Sequence, residues 1–431
     1  MVIHCKIGNE EIQFRTMFYA RRYERYHEIT YMSCMNESIE VIEELPKSLR
    51  IYNCSHNQIE EIKNLPNTLR VFDCSCNEIT KIGILPETLR VFDCSWNEIK
   101  KIENLPKFLR VFHCNGNPIR KIEELPKFLR IFVCKNCDYI GKIENLPKFL
   151  QYFNCSFDRI IKIENLPDSL LIFICNNNEI IKIENLPISL RIFYCCWNKI
   201  EKIENISYHW NGMKMVTEEN KQLPKTLQQF YCHGNQIKKI ENLPDSLRVF
   251  DCSDNNIKKI ENLRYFWNGV EMVIEEDTRL PKMLRVFNCS CNKIKKIENL
   301  PESLWFFDCS YTEITKIENL SEFLQKFDCS YTEITKIENL PRSLLELSCY
   351  GNKITSIDKL PLMLYYINLK KLNLLSYQEK QNIKENGKIK GKLEKIIDRT
   401  YMVATGIELG GNESVFLIPP VECVVKSMEW F

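Results

Sequence analysis

The sequence predicts an α/β-type solenoid dominated by parallel β-structure, and three observations predict it. First, a twenty-residue unit, seen whole as LPETLRVFDCSWNEIKKIEN at residues 85–104, recurs along most of the chain. A fixed period of this length marks coils stacked one on the next, each touching only its neighbours. Second, a Phe and a Cys stand one residue apart in each unit, as Phe92 and Cys94 do, the spacing of a strand with one buried face. Third, an Asn follows three residues after most of those cysteines, as at Asn57, Asn77, Asn97 and Asn117. An amide buried at that corner offers both donor and acceptor to backbone groups freed where the strand turns. One unit cannot bury its apolar face alone, so stacking is obligatory.

The chain divides on this pattern into three parts. Residues 1–44 are expected to be an N-terminal cap ending in a degenerate first repeat. Met1 to Phe14 reads as a strand pair turning near Gly8-Asn9, Phe18 to His27 as a short helix, and Cys34, Ile39 and Ile42 fall in register with later units. The cap's task is to cover a strand edge that would otherwise pair with other chains. Residues 45–372 are the repeat array, opened at each unit by Leu-Pro from Leu45 to Leu360, with Leu320-Ser321 as a variant. Two inserts interrupt it, ISYHWNGMKMVTEENKQ at 206–222 and LRYFWNGVEMVIEEDTR at 263–279. They lie 57 residues apart with matching flanks, as a block duplication would leave them. Each reads as a loop with a short helix or hairpin on the convex side or rim, turning at Trp-Asn-Gly. Residues 373–431 are a C-terminal cap or small appended unit. Helical spacing is expected at Ser376–Asn386 and Lys388–Arg399, and strands at Tyr401–Leu409 and Ser414–Ile418.

At Cys137, Asp158, Thr312 and Thr332 the corner asparagine is replaced. Cys137 is the weakest substitute and sits beside a one-residue insertion, so the Asn ladder should break there.

The pattern LxxFxCxxNxIxxIxxLP resembles the leucine-rich repeat, with Phe, Cys and Ile in places usually held by leucine. The short period and the Leu-Pro step resemble the bacterial-type subclass of secreted effectors. The Cys- and Phe-rich, Asn/Lys/Ile-biased units also look like leucine-rich repeat proteins of giant amoebal DNA viruses. The resemblance covers about three quarters of the chain, Leu45 to Leu369, and implies a horseshoe. A parallel sheet lines its concave side, and the convex side is extended or 3₁₀, because proline and the short unit disfavour full α-helix. Some effectors of this class carry a ubiquitin-ligase domain with an active cysteine after the repeats. Here the tail is too short, and Cys423 sits in an apolar VECVVK context.

Composition narrows function by exclusion. With 59 Lys and Arg against 57 Asp and Glu, bulk charge offers nothing to a polyanion, so no nucleic acid partner is expected. On the convex side a Glu stands two residues after nearly every Lys, as in Lys101 and Glu103, which makes a self-neutralised face. No apolar run reaches membrane-spanning length and none of signal-peptide length follows Met1, so no membrane partner and an intracellular, cytoplasmic location are expected (host cytoplasm if viral). Of 21 cysteines, fifteen fall on one repeat position, which says core column rather than disulfide framework, metal array or redox stack. With six scattered histidines there is no partner to activate a thiol, so neither an enzyme, a catalytic residue, a metal nor a cofactor is expected.

What remains is the concave face. Its rows carry Val or Ile before the Phe and a varied residue between Phe and Cys. The middle is apolar and aromatic and the ends are acidic, as a protein-binding surface can be. The candidates are Trp96, Val133, Asn154, Phe157, Ile174, Tyr194, Trp197, Tyr231 and Asp251. The competing account is that Val and Ile simply suit strands and duplication copied them along. The expected function is a monomeric, non-enzymatic scaffold binding one protein partner; the alternative is a structural or passively expanded repeat with no specific ligand. Near-identical copies of YTEITKIENL at 311–320 and 331–340 favour the alternative.

Overall fold

The computed structural model describes residues 2–386, apart from 121, 123, 138–139, 211–214, 221–222, 242, 268–271, 278–279, 358–359 and 370–377. The chain forms two compact units, Met1–Leu284 and Arg285–Phe431.

In the first unit, three-residue strands run from Tyr31–Ser33 through Val91–Asp93 to Val249–Asp251, each parallel to the next. Pairing is in register, with Phe72 opposite Phe92 and Phe92 opposite Phe112. Like side chains therefore fall on like. Tyr52 and the phenylalanines from Phe72 to Phe250 stack in one buried column, with centroids 5.5–5.8 Å apart and ring planes within 14°. That spacing is within the range where aromatic pairs attract. Each Leu-Pro step builds the turn into the strand: the Leu89 N–H donates to Pro86 O at 3.0 Å, and the pattern repeats coil by coil.

Beside the rings runs the cysteine column, buried throughout. Cys94 Sγ lies 3.5 Å from His113 O and Cys175 Sγ 3.5 Å from Tyr194 O, so each thiol faces a carbonyl of the following coil. Cysteine is small enough for the layer and adds a weak donor where leucine has none.

At the corner, Asn97 Nδ2 donates to Cys74 O, Cys94 O and Ser95 O at 3.1, 3.0 and 3.1 Å, and its Oδ1 accepts from Ile79 N at 2.9 Å. One amide thus ties two coils. The ladder breaks where expected. Cys137 Sγ takes over the donation to Cys114 O at 3.3 Å but supplies no amide oxygen, and Ile119 N turns instead to Asn117 O of its own coil at 2.8 Å. Asp158, buried in the next coil, accepts from Cys137 N at 2.5 Å.

The return side of each coil is the extended one of the two conformations expected. Lys142–Ile143 pairs with Lys162–Ile163, and Lys182–Glu184 with the start of Lys202–Trp210. The inserts are β-hairpins growing out of this side. Lys202–Trp210 folds antiparallel onto Met215–Asn220, and Lys259–Trp267 onto Met272–Asp277, with the same register in both. Asparagine in the KIENLP segment has a backbone reason: Asn64, Asn104, Asn145 and Asn165 have φ of 55° to 58°, the left-handed region that asparagine tolerates best after glycine.

The N-terminal cap has Ile3–Ile7 antiparallel to both Glu10–Phe14 and Tyr31–Ser33, so the edge of the parallel sheet is covered. The expected helix is shorter, Met17–Arg21, followed by a 3₁₀ turn at Tyr26–Glu28.

The second unit repeats the plan from Val286–Asn288 to Tyr366–Asn368, with Phe287, Phe307 and Phe327 stacked at 5.6 Å. Residues 378–386 are helical, and Asn386 Nδ2 donates to Leu362 O and Leu364 O at 2.9 and 3.0 Å, closing the last coil. The helix expected at Lys388–Arg399 and the strands at Tyr401–Leu409 and Ser414–Ile418 lie outside the described residues. No described helix is long and apolar enough to cross a membrane.

Candidate protein-interaction face

The outward face of the sheet is built from three kinds of position. The first is the residue between Phe and Cys. Where it is Asp or Asn it shapes the turn: Asp73 Oδ1 accepts from Ser75 N at 3.0 Å and Ser75 Oγ at 2.7 Å, and Asp251 does the same with Ser253. Asn154 matches this with Ser156. In the sequence this row supplies the acidic ends on either side of an apolar, aromatic middle. The turn role was visible as the recurring Asp/Asn-Cys-Ser, in which a side-chain oxygen bonds the backbone two residues on.

Electrostatics within the row are strained. Burial, then the Asp93 charge, pushes the Asp73 carboxyl up to about 6. Burial would raise Asp93 too, but His113, whose Nδ1 lies 3.2 Å from Asp93 Oδ2, brings it below the usual carboxylate range.

The second kind is the aromatic pair Tyr194 and Tyr231, stacked at 4.2 Å with planes 6° apart. Burial raises both phenols. Beside them His233 Nδ1 lies 3.4 Å from Asp251 Oδ2, and its ring meets Trp197 edge-on at 5.8 Å.

The third is the residue two places after the cysteine, which has positive φ: Trp96 at 56°, Phe157 at 66° and Trp197 at 54°. These large rings are 55, 46 and 52% exposed. Their inner faces lie on the following coil. A Cβ at Gly116 would come within 2.4 Å of the Trp96 ring, and one at Gly234 within 2.5 Å of the Trp197 ring. Part of what made these tryptophans look like binding residues is packing over glycine. The signal was present as a Gly one coil after each Trp.

The nine candidates are thus of two sorts. Val133, Asn154, Ile174 and Tyr194 are buried by the strands on either side. Trp96, Phe157 and Trp197 are exposed, and Tyr231 and Asp251 are half-buried. Tyr194, Trp197, Tyr231 and Asp251 come together in adjacent coils. Trp96 stands apart, and Phe157 borders a shallow depression of about 320 Å³ lined also by Asn136, Arg159 and Asn177.

Reactive chemistry finds little support in these surroundings. Burial raises the thiols of the cysteine column, Cys74, Cys94 and Cys232 among them, away from the thiolate form a nucleophile or metal ligand needs. Among the described residues no cluster of His, Cys, Asp or Glu is placed to hold a metal ion.

Solved structures share this architecture. YopM from Yersinia enterocolitica matches with a TM-score of 0.56 at 20% identity, over 79% of this chain and 78% of that one. The chain has the leucine-rich repeat fold. The functional domain of InlJ from Listeria monocytogenes, which includes a cysteine ladder, matches at 0.53 and 19% identity, covering 74% and 73% of the two chains. A leucine-rich repeat protein of Leptospira interrogans matches at 0.53 and 16%, over 90% and 98%. No protein-family profile and no curated protein matches the sequence.

Proposed function

We propose that this protein is a non-enzymatic interaction scaffold that holds one protein partner on the outward face of its parallel sheet, acting as a monomer inside the cell. The observation that carries the reading is the cluster of Tyr194, Tyr231 and Trp197 beside Asp251 and His233. Rigid aromatic rings such as these are what interface centres are enriched in. The test is affinity capture from the native cell with the wild-type chain and with Trp197→Ala and Tyr231→Ala. A partner enriched by the wild type and lost from both variants supports the reading. Equal capture by folded variants counts against it.

A second reading, a structural repeat with no specific ligand, is favoured by one observation. In the duplicated copies Tyr311 stacks on Tyr331 at 4.4 Å, so identical neighbours satisfy each other. On this alternative the chain is a viral repeat protein acting in host cytoplasm.

A further inference from the structure

Most coils carry a bridging Ser or Thr three places after the leucine of the Leu-Pro step. Its hydroxyl lies against two carbonyls of the preceding coil. Thr68 Oγ1 is 2.7 and 2.8 Å from Lys47 O and Leu49 O, Thr88 Oγ1 is 2.8 and 2.7 Å from Asn67 O and Leu69 O, and Ser169 Oγ is 2.8 and 2.7 Å from Lys148 O and Leu150 O. Three consecutive coils give this up for phenylalanine, at Phe108, Phe128 and Phe149.

The substitution loses a structural bridge and gains no core. The rings are 41, 47 and 45% exposed. They stack on one another at 5.7 and 6.1 Å, forming a rigid apolar strip. Its first end shows a repair: Glu87 O and Leu89 O, which a hydroxyl at 108 would reach, accept from Arg90 Nη1 at 3.0 and 2.9 Å. The same guanidinium lies 5.4 Å from the Phe108 centroid.

The strip is framed in positive charge. Lys107 Nζ is 4.9 Å from the Phe108 centroid and Lys148 Nζ 5.0 Å from that of Phe149; with Lys127, Arg110 and Arg130 they belong to two PKFLR segments and one PKFLQ, which contain no acid. Burial, then the charges of Arg110 and Arg70, lowers the Arg90 pKa against a smaller opposing pull from Glu87, so like charges there press on each other. An approaching carboxylate would relieve that repulsion.

We propose that this strip is a second docking surface, separate from the sheet face, for an acidic extended segment of another protein that carries aromatic or aliphatic side chains. Charge complementarity selects the acid and the exposed ring edges select the apolar side chains. A nucleic acid fits worse. Base stacking needs an open ring face, whereas these faces lie against one another. A bilayer fits worse too, because rings held flat and more than half covered cannot enter the acyl boundary.

The probe is the glutamate–tyrosine copolymer, offered to the immobilised full chain at low and moderate salt. Binding is expected, weakening as salt rises. It should fall about tenfold or more in Phe108→Ser/Phe128→Ser/Phe149→Ser and in Lys107→Glu/Lys127→Glu/Lys148→Glu, and stay unchanged in Trp197→Ala. The serine variant restores the bridge used by the other coils, so its circular dichroism and Tm should hold or rise, and a loss of binding then reads the strip. Four results would overturn the proposal: no binding of the copolymer, unchanged binding by the serine variant, equal binding of polyglutamate or the lysine–tyrosine copolymer, or Phe-dependent capture of phosphatidylserine vesicles or oligothymidylate in place of the copolymer.

Discussion

Asn97 and Cys137 occupy the same corner of two coils in the first unit, yet the bonds around them differ. Asn97 donates to both coils and accepts from Ile79 N; Cys137 donates weakly to Cys114 O, and Ile119 N must find Asn117 O within its own coil. The difference teaches that the corner needs a group which donates and accepts at once. Threonine meets the need in part: Thr312 Oγ1 has one proton and gives it to Cys309 O at 2.6 Å.

The strongest way to break the contrast is Asn97→Ala. It orphans the Ile79 N–H and strips one of two donors from each of the buried carbonyls of Cys74, Cys94 and Ser95, and should cost about 3 kcal/mol, read as a lower urea midpoint. Next comes Gly116→Ala. Its φ of +60° and the Trp96 ring at 2.4 Å leave no room for a methyl, so a loss of about 2 kcal/mol is expected, with a shift in tryptophan emission.

Asp73→Asn should work in the other direction. Its folded pKa of about 6 lies above the ordinary carboxyl value of 3.8, so the ionised carboxyl destabilises the fold above pH 6 and the penalty disappears as pH falls toward 4. Asparagine keeps the turn acceptor without the charge, as Asn53 and Asn154 do. The variant should gain about 1–2 kcal/mol at pH 7 and nothing near pH 4, measured by thermal melts across that range. The smallest effect sharpens the opening contrast: Cys137→Asn should repair the ladder and raise stability by about 1 kcal/mol or less, checked by the same melts.

Much of the fold was legible because repetition makes each column visible many times. Leu-Pro, Phe-x-Cys and the corner Asn gave the coil and the parallel stack, and Cys137 announced the break. The candidate face was less legible. Alternation says which residues point outward, but not that Val133, Ile174 and Tyr194 are then covered by strands one coil away. Backbone sign was also hidden: nothing in the letters Asn104 or Trp96 states a φ near +57°. Phe108, Phe128 and Phe149 passed unnoticed because an aromatic in a leucine-rich unit reads as core until its exposure is known.

The cysteine column has a practical consequence. Because almost every coil carries a shielded, unoxidised sulfur while Cys291 is exposed and Cys76 partly so, alkylation by a thiol reagent becomes a clock with many hands. Under mild denaturant, mass spectrometry of the labelled peptides would time the opening of each turn, from the ends inward or from the weak corner at Cys137 outward, with no engineered probe.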